Sequence, residues 1–398
     1  MSEWKKVKFR DLFSEPTKNG IYKTKEFHGR GAKIINMGEI FAYSFVGSQE
    51  MNRVEINEKE RDSFLVSDGD LLFARRSLIE SGAGKCSIVT NISDETTFES
   101  SIIRVRLNKH LANPLFYMYW MRSLAGKTAM NGIVSGVNVK GIRASDLQNI
   151  DVDFPSLSIQ NSIATILSRY DSLIENYQKQ TKLLEEAAQR LYKEWFVDLH
   201  FPSHEKTKIV DGVPEGWEKK TLSDISSIIM GQSPKSEFYN TDGNGLPFHQ
   251  GVGSYGYRFV VDNTYSTSFT RIAEPNSILF SVRAPVGRLN ITKNKIVIGR
   301  GLASINHKMG CQSYLYYLLK EKFFKDNIIG NGAIFASISK DELYNLAFII
   351  PSDEMIKRYD AIANKLDKDI QYVDSQIRLL TEARDRLLPK LMSGEIAV

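Results

Sequence analysis

The stretch LLEEAAQRLYKEWF, Leu183–Phe196, is written again as LLTEARDRLLPKLM, Leu379–Met392, with Leu-Leu, Glu, Ala, Arg and Leu in register. A duplication of this kind constrains the architecture before any single motif does. Followed backwards, it takes in LQNIDVDFP (Leu147–Pro155) against LYNLAFIIP (Leu343–Pro351) and DLLFARRS (Asp70–Ser77) against SILFSVRA (Ser277–Ala284). More weakly, IINMGEI (Ile34–Ile40) falls on PFHQGVG (Pro247–Gly253), and the copies open with WKKVKFRDL at Trp4 and WEKKTLSDI at Trp217. The offset shrinks from 213 residues at the tryptophans to 196 at the prolines, so the second copy carries shorter loops.

Each copy reads as an α+β globular segment followed by a long helix. Short β-rich runs such as DLLFA and SIIRVRL lie between Gly, Asn and Ser turns, with a helix around PLFYMYWMRSLAG or YLYYLLKEKFF. Pro155 and Pro351 close the globular segments because proline and its predecessor resist helix, and Ser156 or Ser352 then offers an N-cap. The expected boundaries are a first domain over 1–155, a helix over 156–200, a linker over 201–216, a second domain over 217–351 and a second helix over 352–398.

Both helices carry an apolar seam of alternating four- and three-residue spacings, as in a coiled coil. In the first it runs Ile159, Ile163, Ile166, Tyr170, Leu173, Tyr177, Gln180, Leu184, Ala187, Leu191. In the second it runs Met355, Tyr359, Ile362, Leu366, Asp369, Val373, Gln376, Leu380, Ala383, Leu387, with a glutamine interrupting both at the same place. Antiparallel pairing puts the end of helix one beside the start of helix two, where the second segment must begin and finish. The expected architecture is therefore two homologous α+β domains separated by an antiparallel coil with a pseudo-two-fold axis, the chain's two ends lying close together. A helix of about 40 residues spans roughly 60 Å and would act as a spacer. The competing arrangement packs each helix on its own domain.

Composition sets outer limits. With 398 residues, 42% hydrophobic and 25% charged, the chain is globular and long enough for two or three cores. Neither a signal peptide nor an apolar run of membrane-spanning length is read, and two distant cysteines fit reduced thiols, so a cytoplasmic protein without membrane association is expected. The net charge of +5 permits an anionic partner. His28, His110, His200, His204 and His307 have no carboxylate or cysteine at ligand spacing, so no metal site is expected.

Two stretches imitate catalytic motifs. SGAGKCS, Ser81–Ser87, looks like a phosphate loop, but Ile79 stands where the first glycine belongs and Cys86 where the Mg²⁺-binding hydroxyl belongs. NPLF, Asn113–Phe116, approaches the motif of adenine amino-methyltransferases, yet Leu115 replaces its second proline and the second copy has CQSY there. A proline starting a helix explains it better, and Tyr117, Tyr119 and Trp120 read as core. No catalytic residues are assigned.

The whole chain resembles the specificity subunit of type I restriction–modification systems. The resemblance is carried by LLEEAAQRLYKEWFVD, VPEGWEKKTLSDI, GQSPKSEFYN (Gly231–Asn240) and LLTEARDRLLPKLMSGEI, in that duplicated order. It implies a non-catalytic reader of a bipartite site in double-stranded DNA, with one target-recognition domain per half-site. It also implies docking of modification subunits that methylate adenine and of restriction subunits that translocate DNA. S-adenosylmethionine, ATP and Mg would belong to those partners, and no cofactor to this chain. The alternatives are an adenine methyltransferase acting by itself and a coiled-coil adaptor without a DNA role.

Two regions are expected to face DNA. Aligning ARRSLIESGAGKCSIV with SVRAPVGRLNIT places Arg76 over Arg283 and Gly84-Lys85 over Gly287-Arg288. A glycine lets backbone approach closely, and Arg or Lys meets phosphate or a guanine edge, so these residues and Arg75 are candidates and SGAGKCS would cradle a DNA phosphate. The second region is the polar-aromatic stretch Asn36 to Tyr43 and its counterpart HQGVGSYGYR, offering His249, Gln250, Tyr255, Tyr257 and Arg258 to base edges or faces.

Overall fold

The computed structural model describes residues 4–78, 82–323 and 337–398. The chain forms two compact units, one of Met1–Asn176 with Ile377–Val398 and one of Tyr177–Gln376.

In the first unit the chain runs β1 (Lys5–Lys8), β2 (Lys18–Asn19), β3 (His28–Ile35), α1 (Met37–Ala42), β4 (Phe45–Val46), β5 (Arg53–Val54) and α2 (Glu58–Phe64). There follow β6 (Leu71–Ala74), β7 (Arg76–Ser77), β8 (Cys86–Val89), β9 (Thr96–Phe98), β10 (Ile102–Val105), α3 (Pro114–Arg122) and α4 (Leu124–Asn131). Then come β11 (Lys140–Gly141), α5 (Ala144–Gln148), β12 (Asp151–Phe154) and the helix α6 (Leu157–Phe196).

Beyond it, β13 (Ile209–Val210) and β14 (Val213–Pro214) form a small hairpin inside the expected linker. The second unit continues with β15 (Glu218–Thr221), α7 (Leu222–Ile225), β16 (Ser226–Met230), β17 (Tyr239–Asn240), β18 (Leu246–His249), β19 (Tyr265–Ser266) and β20 (Ile272–Ala273). It closes with β21 (Ile278–Ser281), β22 (Leu289–Ile291), β23 (Ile296–Ile298), β24 (Leu302–His307), α8 (Gln312–Phe323), α9 (Lys340–Tyr344), β25 (Ala347–Ile350) and α10 (Asp353–Met392).

Topology repeats as the sequence does. The main sheet has the order β2-β10-β6-β8-β4 in the first unit and β16-β24-β21-β22 in the second, so four strands correspond one to one. A parallel pair, β3 with β9 and β18 with β23, stands beside it in both. The first strand of each unit returns to pair antiparallel with the last, β1 with β12 and β15 with β25. The fold class is therefore α+β, duplicated.

Both long helices serve both cores. Around Phe73, Ile103, Phe116 and Tyr117 the first unit gathers Ile163, Ala164 and Leu167 from α6 and Leu391 and Met392 from α10. The second packs Ala188, Tyr192 and Trp195 of α6 and Ile356, Tyr359 and Ala363 of α10 around Phe280, Ile305 and Tyr314. In the second unit Tyr359 Oη donates to Ala188 O at 2.9 Å, while Glu185 and Asp367 share one arginine. The helices thus run antiparallel, a pairing neither could supply alone in water. Ser156 and Ser352 cap them, each accepting from the backbone three residues on at 3.4 Å. The chain's ends meet within the first unit, where Trp4 lies 3.6 Å from a Cβ built on Gly394.

The seam is one residue out of phase with the expected one. Leu173 and Ile362 are exposed, and Ile159, Ile166, Tyr170, Tyr177, Leu184, Leu191, Leu366, Leu380 and Leu387 are only half-buried. Of the expected apolar seam only Ile163, Tyr359 and Val373 are fully buried. The buried row of α6 is instead Gln160, Ala164, Leu167, Asp171, Ile174, Thr181, Glu185, Ala188, Tyr192 and Trp195, each one position further on. In α10 Ile356, Asp360, Ala363, Ile370 and Leu391 follow the same shift. The cause is that each helix faces a globular domain as well as its partner, and the residues between the two contacts include paired polar groups.

Candidate nucleic-acid interface

After β6 and after β21 the chain builds the same turn. Gly84 donates its N–H to Ala74 O at 2.7 Å, and Ala74 donates back to Lys85 O at 2.9 Å. In the second unit Gly287 donates to Ser281 O and Ser281 to Arg288 O, both at 2.9 Å. Both glycines have positive φ, +77° and +85°, where a side chain is strained. A Cβ would also collide with Met130 below Gly84, at 2.3 Å, or with the Phe323 ring below Gly287, at 2.7 Å. Each unit therefore requires a glycine there and presents a cation directly after it.

The preceding arginines divide by exposure. Arg75 is half-buried, its Nη1 donating to Ser100 O and its backbone bonded to Ser101 and Ile142, so it braces the turn. Arg76 is exposed on β7, which pairs with β11 through Ser77 to Lys140 and Arg76 to Gly141. Arg283 is exposed at the matching place and bridges to Ser337, while Arg288 is exposed beyond the turn.

Lys85 is held rather than extended. Its Nζ donates to Phe41 O at the C-terminal end of α1 at 2.6 Å, and partial burial, helped by Arg122, moves its pKa below the usual lysine value. Arg76 and Lys85 edge a cleft of about 680 Å³ whose other walls are Met37, Phe41, Ser77, Leu78, Gly82 and Val139. No nucleotide loop is formed by 82–87, which continues into β8; Ser81 lies outside the described residues.

The stretch HQGVGSYGYR is corrected by the structure, because three of its five candidates, His249, Tyr255 and Arg258, are internal bracing. His249 is buried, with Nδ1 on Ser254 Oγ at 2.7 Å and Nε2 on Asp262 Oδ1 at 2.9 Å. Burial opposes ionisation of Asp262, but the hydrogen bond and charge of His249 outweigh it and hold the carboxyl below its usual range. Tyr255 packs on Ala273, Leu279 and Ile298. Tyr257 projects from the surface, yet its hydroxyl, pushed up to about 12 by burial and by Glu185, bonds Glu185 of α6.

Arg258 is buried outright. It pairs with Glu185 at 2.8 Å and Asp367 at 2.6 Å and lies 3.4 Å over the Tyr316 ring. Such a guanidinium cannot meet a base without abandoning two carboxylates in the interior. Gln250 and Tyr257 remain at the surface, Gln250 with its Oε1 accepting from Ser233 Oγ at 2.8 Å. In the first unit Asn36 is half-buried as the residue before α1, where Glu39 accepts its N–H at 2.8 Å, whereas Tyr43 is exposed.

Sequence reasoning missed the residues around these. Ser233, inside GQSPKSEFYN, joins Gln250 to the backbone N–H of the exposed Arg300, so two distant segments share one surface. On the first unit Phe41, Leu78 and Val139 are exposed apolar residues of three separate segments; Phe41 lies within the expected stretch Asn36 to Tyr43, whereas Leu78 and Val139 had as their signal only an apolar residue in a loop.

The imitation motifs resolve structurally. Asn113 caps α3, its Oδ1 accepting from Leu115 N at 2.8 Å with Pro114 in the first turn, and Tyr117, Tyr119 and Trp120 are buried. Among the described residues no three His, Cys, Asp or Glu side chains gather as a metal site. Cys86 and Cys311 are buried and unpaired, and burial pushes the Cys86 thiol up to about 12. Among the described residues, no helix is long and apolar enough to cross a membrane.

A family model described as the type I restriction modification DNA specificity domain matches residues 1–186 and again 214–379. The chain is 29% identical to the specificity subunit assigned to type I restriction enzyme MjaX of Methanocaldococcus jannaschii, covering all of this chain and 94% of that one. To the MjaIX specificity subunit of the same organism it is 26% identical, over 94% and 89% of the two chains. Among solved structures, the S subunit of a type I restriction–modification system from M. genitalium matches with a TM-score of 0.56 at 18% identity, over 98% and 96% of the chains, a likeness of fold.

Proposed function

This chain belongs to the type I restriction–modification DNA specificity family, and from that premise we propose that each unit reads one half of a bipartite site in double-stranded DNA. The observation that carries this reading is the duplicated turn, in which the same two backbone hydrogen bonds and the same obligatory glycine present Lys85 in one unit and Arg288 in the other. Arg76 and Arg283 stand beside them as phosphate or guanine contacts.

In this reading the chain supplies recognition and no chemistry. Modification subunits would methylate adenine with S-adenosylmethionine, and restriction subunits would use ATP and Mg; the antiparallel helices hold the two reading domains for them. A cytoplasmic location follows from that role. The test is an exchange of residues 217–350 for the corresponding domain of another family member, followed by methylome sequencing. One half of the methylated motif changes and the other stays; a change in both halves refutes independent reading.

A further inference from the structure

We propose that the first unit reads a thymine through its 5-methyl group, in the cleft formed by Phe41, Leu78 and Val139. The inference rests on the DNA-reading function above and specifies its chemistry.

Three exposed apolar side chains meet there from separate segments. Phe41 comes from α1, Leu78 follows β7 and Val139 precedes β11; they are 39%, 85% and 48% exposed. Apolar groups converging in water mark a contact surface rather than a core. A glycine at its wall leaves room there: a Cβ on Gly82 would lie 2.2 Å from Ser77 Oγ and 3.2 Å from the Phe41 ring.

The charge at its edge selects the occupant. The cleft's lining contains two cations, Arg76 and Lys85. An apolar protein segment would gain nothing from that pair, whereas a duplex brings phosphates to it. In the major groove the apolar feature a base pair projects is the thymine methyl, and side chains such as phenylalanine are suited to it. Among the described residues the second unit offers no matching pair: in register with Phe41 and Leu78 it carries Ser254, whose hydroxyl is bonded to His249, and Pro285. Methyl reading is thus assigned to the first half-site.

The test uses the full chain assembled with its modification subunit and duplexes carrying its own methylated site. Each thymine is replaced in turn by deoxyuridine, which keeps every hydrogen-bonding group and lacks only the methyl. At one thymine of the half-site that survives exchange of residues 217–350, the replacement weakens binding about fourfold, the effect of losing one buried methyl. Leu78→Ser with Val139→Ser removes the difference, binding both duplexes as the parent binds the deoxyuridine form. The inference is overturned if that half-site has no thymine, if all deoxyuridine duplexes bind like the parent, or if the double variant still discriminates. Equal binding of unrelated duplexes would instead overturn the DNA-reading function itself.

Discussion

Replacing Arg258 by methionine tests whether this residue braces the second unit or reads DNA. The substitution keeps much of the volume and removes the charge that pairs with Glu185 and Asp367 and covers Tyr316. Breaking a buried ion pair by deleting one partner costs about 3–5 kcal/mol, because the other charge stays buried. The lower end applies here. Glu185 keeps Lys320 at 2.8 Å, and Asp367 keeps the Tyr317 hydroxyl at 2.9 Å. For a unit of some 200 residues, about 3 kcal/mol lowers the unfolding temperature by about 6–12 °C.

Acid provides a second readout. Burial pushes the Glu185 pKa up, but Arg258 and Lys320 outweigh it and hold it below the usual 4.5. Its contribution to stability is therefore present above the unfolded-state value and lost as pH falls through the folded one. Without Arg258 the folded value rises, so variant and wild type converge in stability as pH falls from 7. Adding Asp367→Asn removes the carboxylate left without a cation, while Glu185 keeps Lys320, and restores part of the lost stability at pH 7. Calorimetry of the full chain checks all three statements. Unchanged unfolding of Arg258→Met together with a lost base preference would return Arg258 to the DNA interface.

Two further outcomes follow from the geometry. Gly84→Ala and Gly287→Ala each destabilise by at least about 1–2 kcal/mol, the cost of forcing a side chain into left-handed backbone, and calorimetry reads it. On the long helices Ile174→Ala costs about 2–5 kcal/mol while Leu173→Ala, one residue away, stays within about 0.5; Ile370→Ala and Ile362→Ala behave likewise, and the reverse ordering in denaturant unfolding would restore the expected seam.

The architecture was legible because duplication is tested twice by one chain. The tryptophan openings, the DLLFA-type strands and the prolines each gave one clue, and their common order gave two homologous α+β segments; the main-sheet order that both units adopt came from the structure. The turn was legible for a related reason: a glycine followed by a cation recurs where the backbone demands glycine. The stretch HQGVGSYGYR had no such control. The residues that hydrogen-bond bases also hydrogen-bond carboxylates, and the carboxylates that hold Arg258 lie 73 and 109 residues away in sequence. Composition named groups able to bond, and tertiary pairing decided with whom.

The seam failed by one residue for a physical reason that its own sequence displays. Ile163-Ala164, Ile166-Leu167 and Leu173-Ile174 are adjacent apolar pairs, so two phases fit the small and apolar positions nearly equally. What separates them is polar: the true phase contains Gln160, Asp171, Thr181 and Glu185, which a count of apolar residues rejects. Each is buried with a partner. Gln160 accepts from Asn113 N, Thr181 donates to Tyr177 O, and Glu185 meets Arg258 and Lys320. Asp171 accepts from Tyr119 Oη at 2.5 Å, and Asp367, 196 residues on, accepts from Tyr317 Oη at 2.9 Å. Their cations differ in origin, Arg384 of α10 in one unit and Arg258 of the globular domain in the other. The repeated aspartate was therefore the stronger phase marker. A charged residue kept in the same register of both helices must be satisfied in both, and only the buried phase gives it a tyrosine and an arginine.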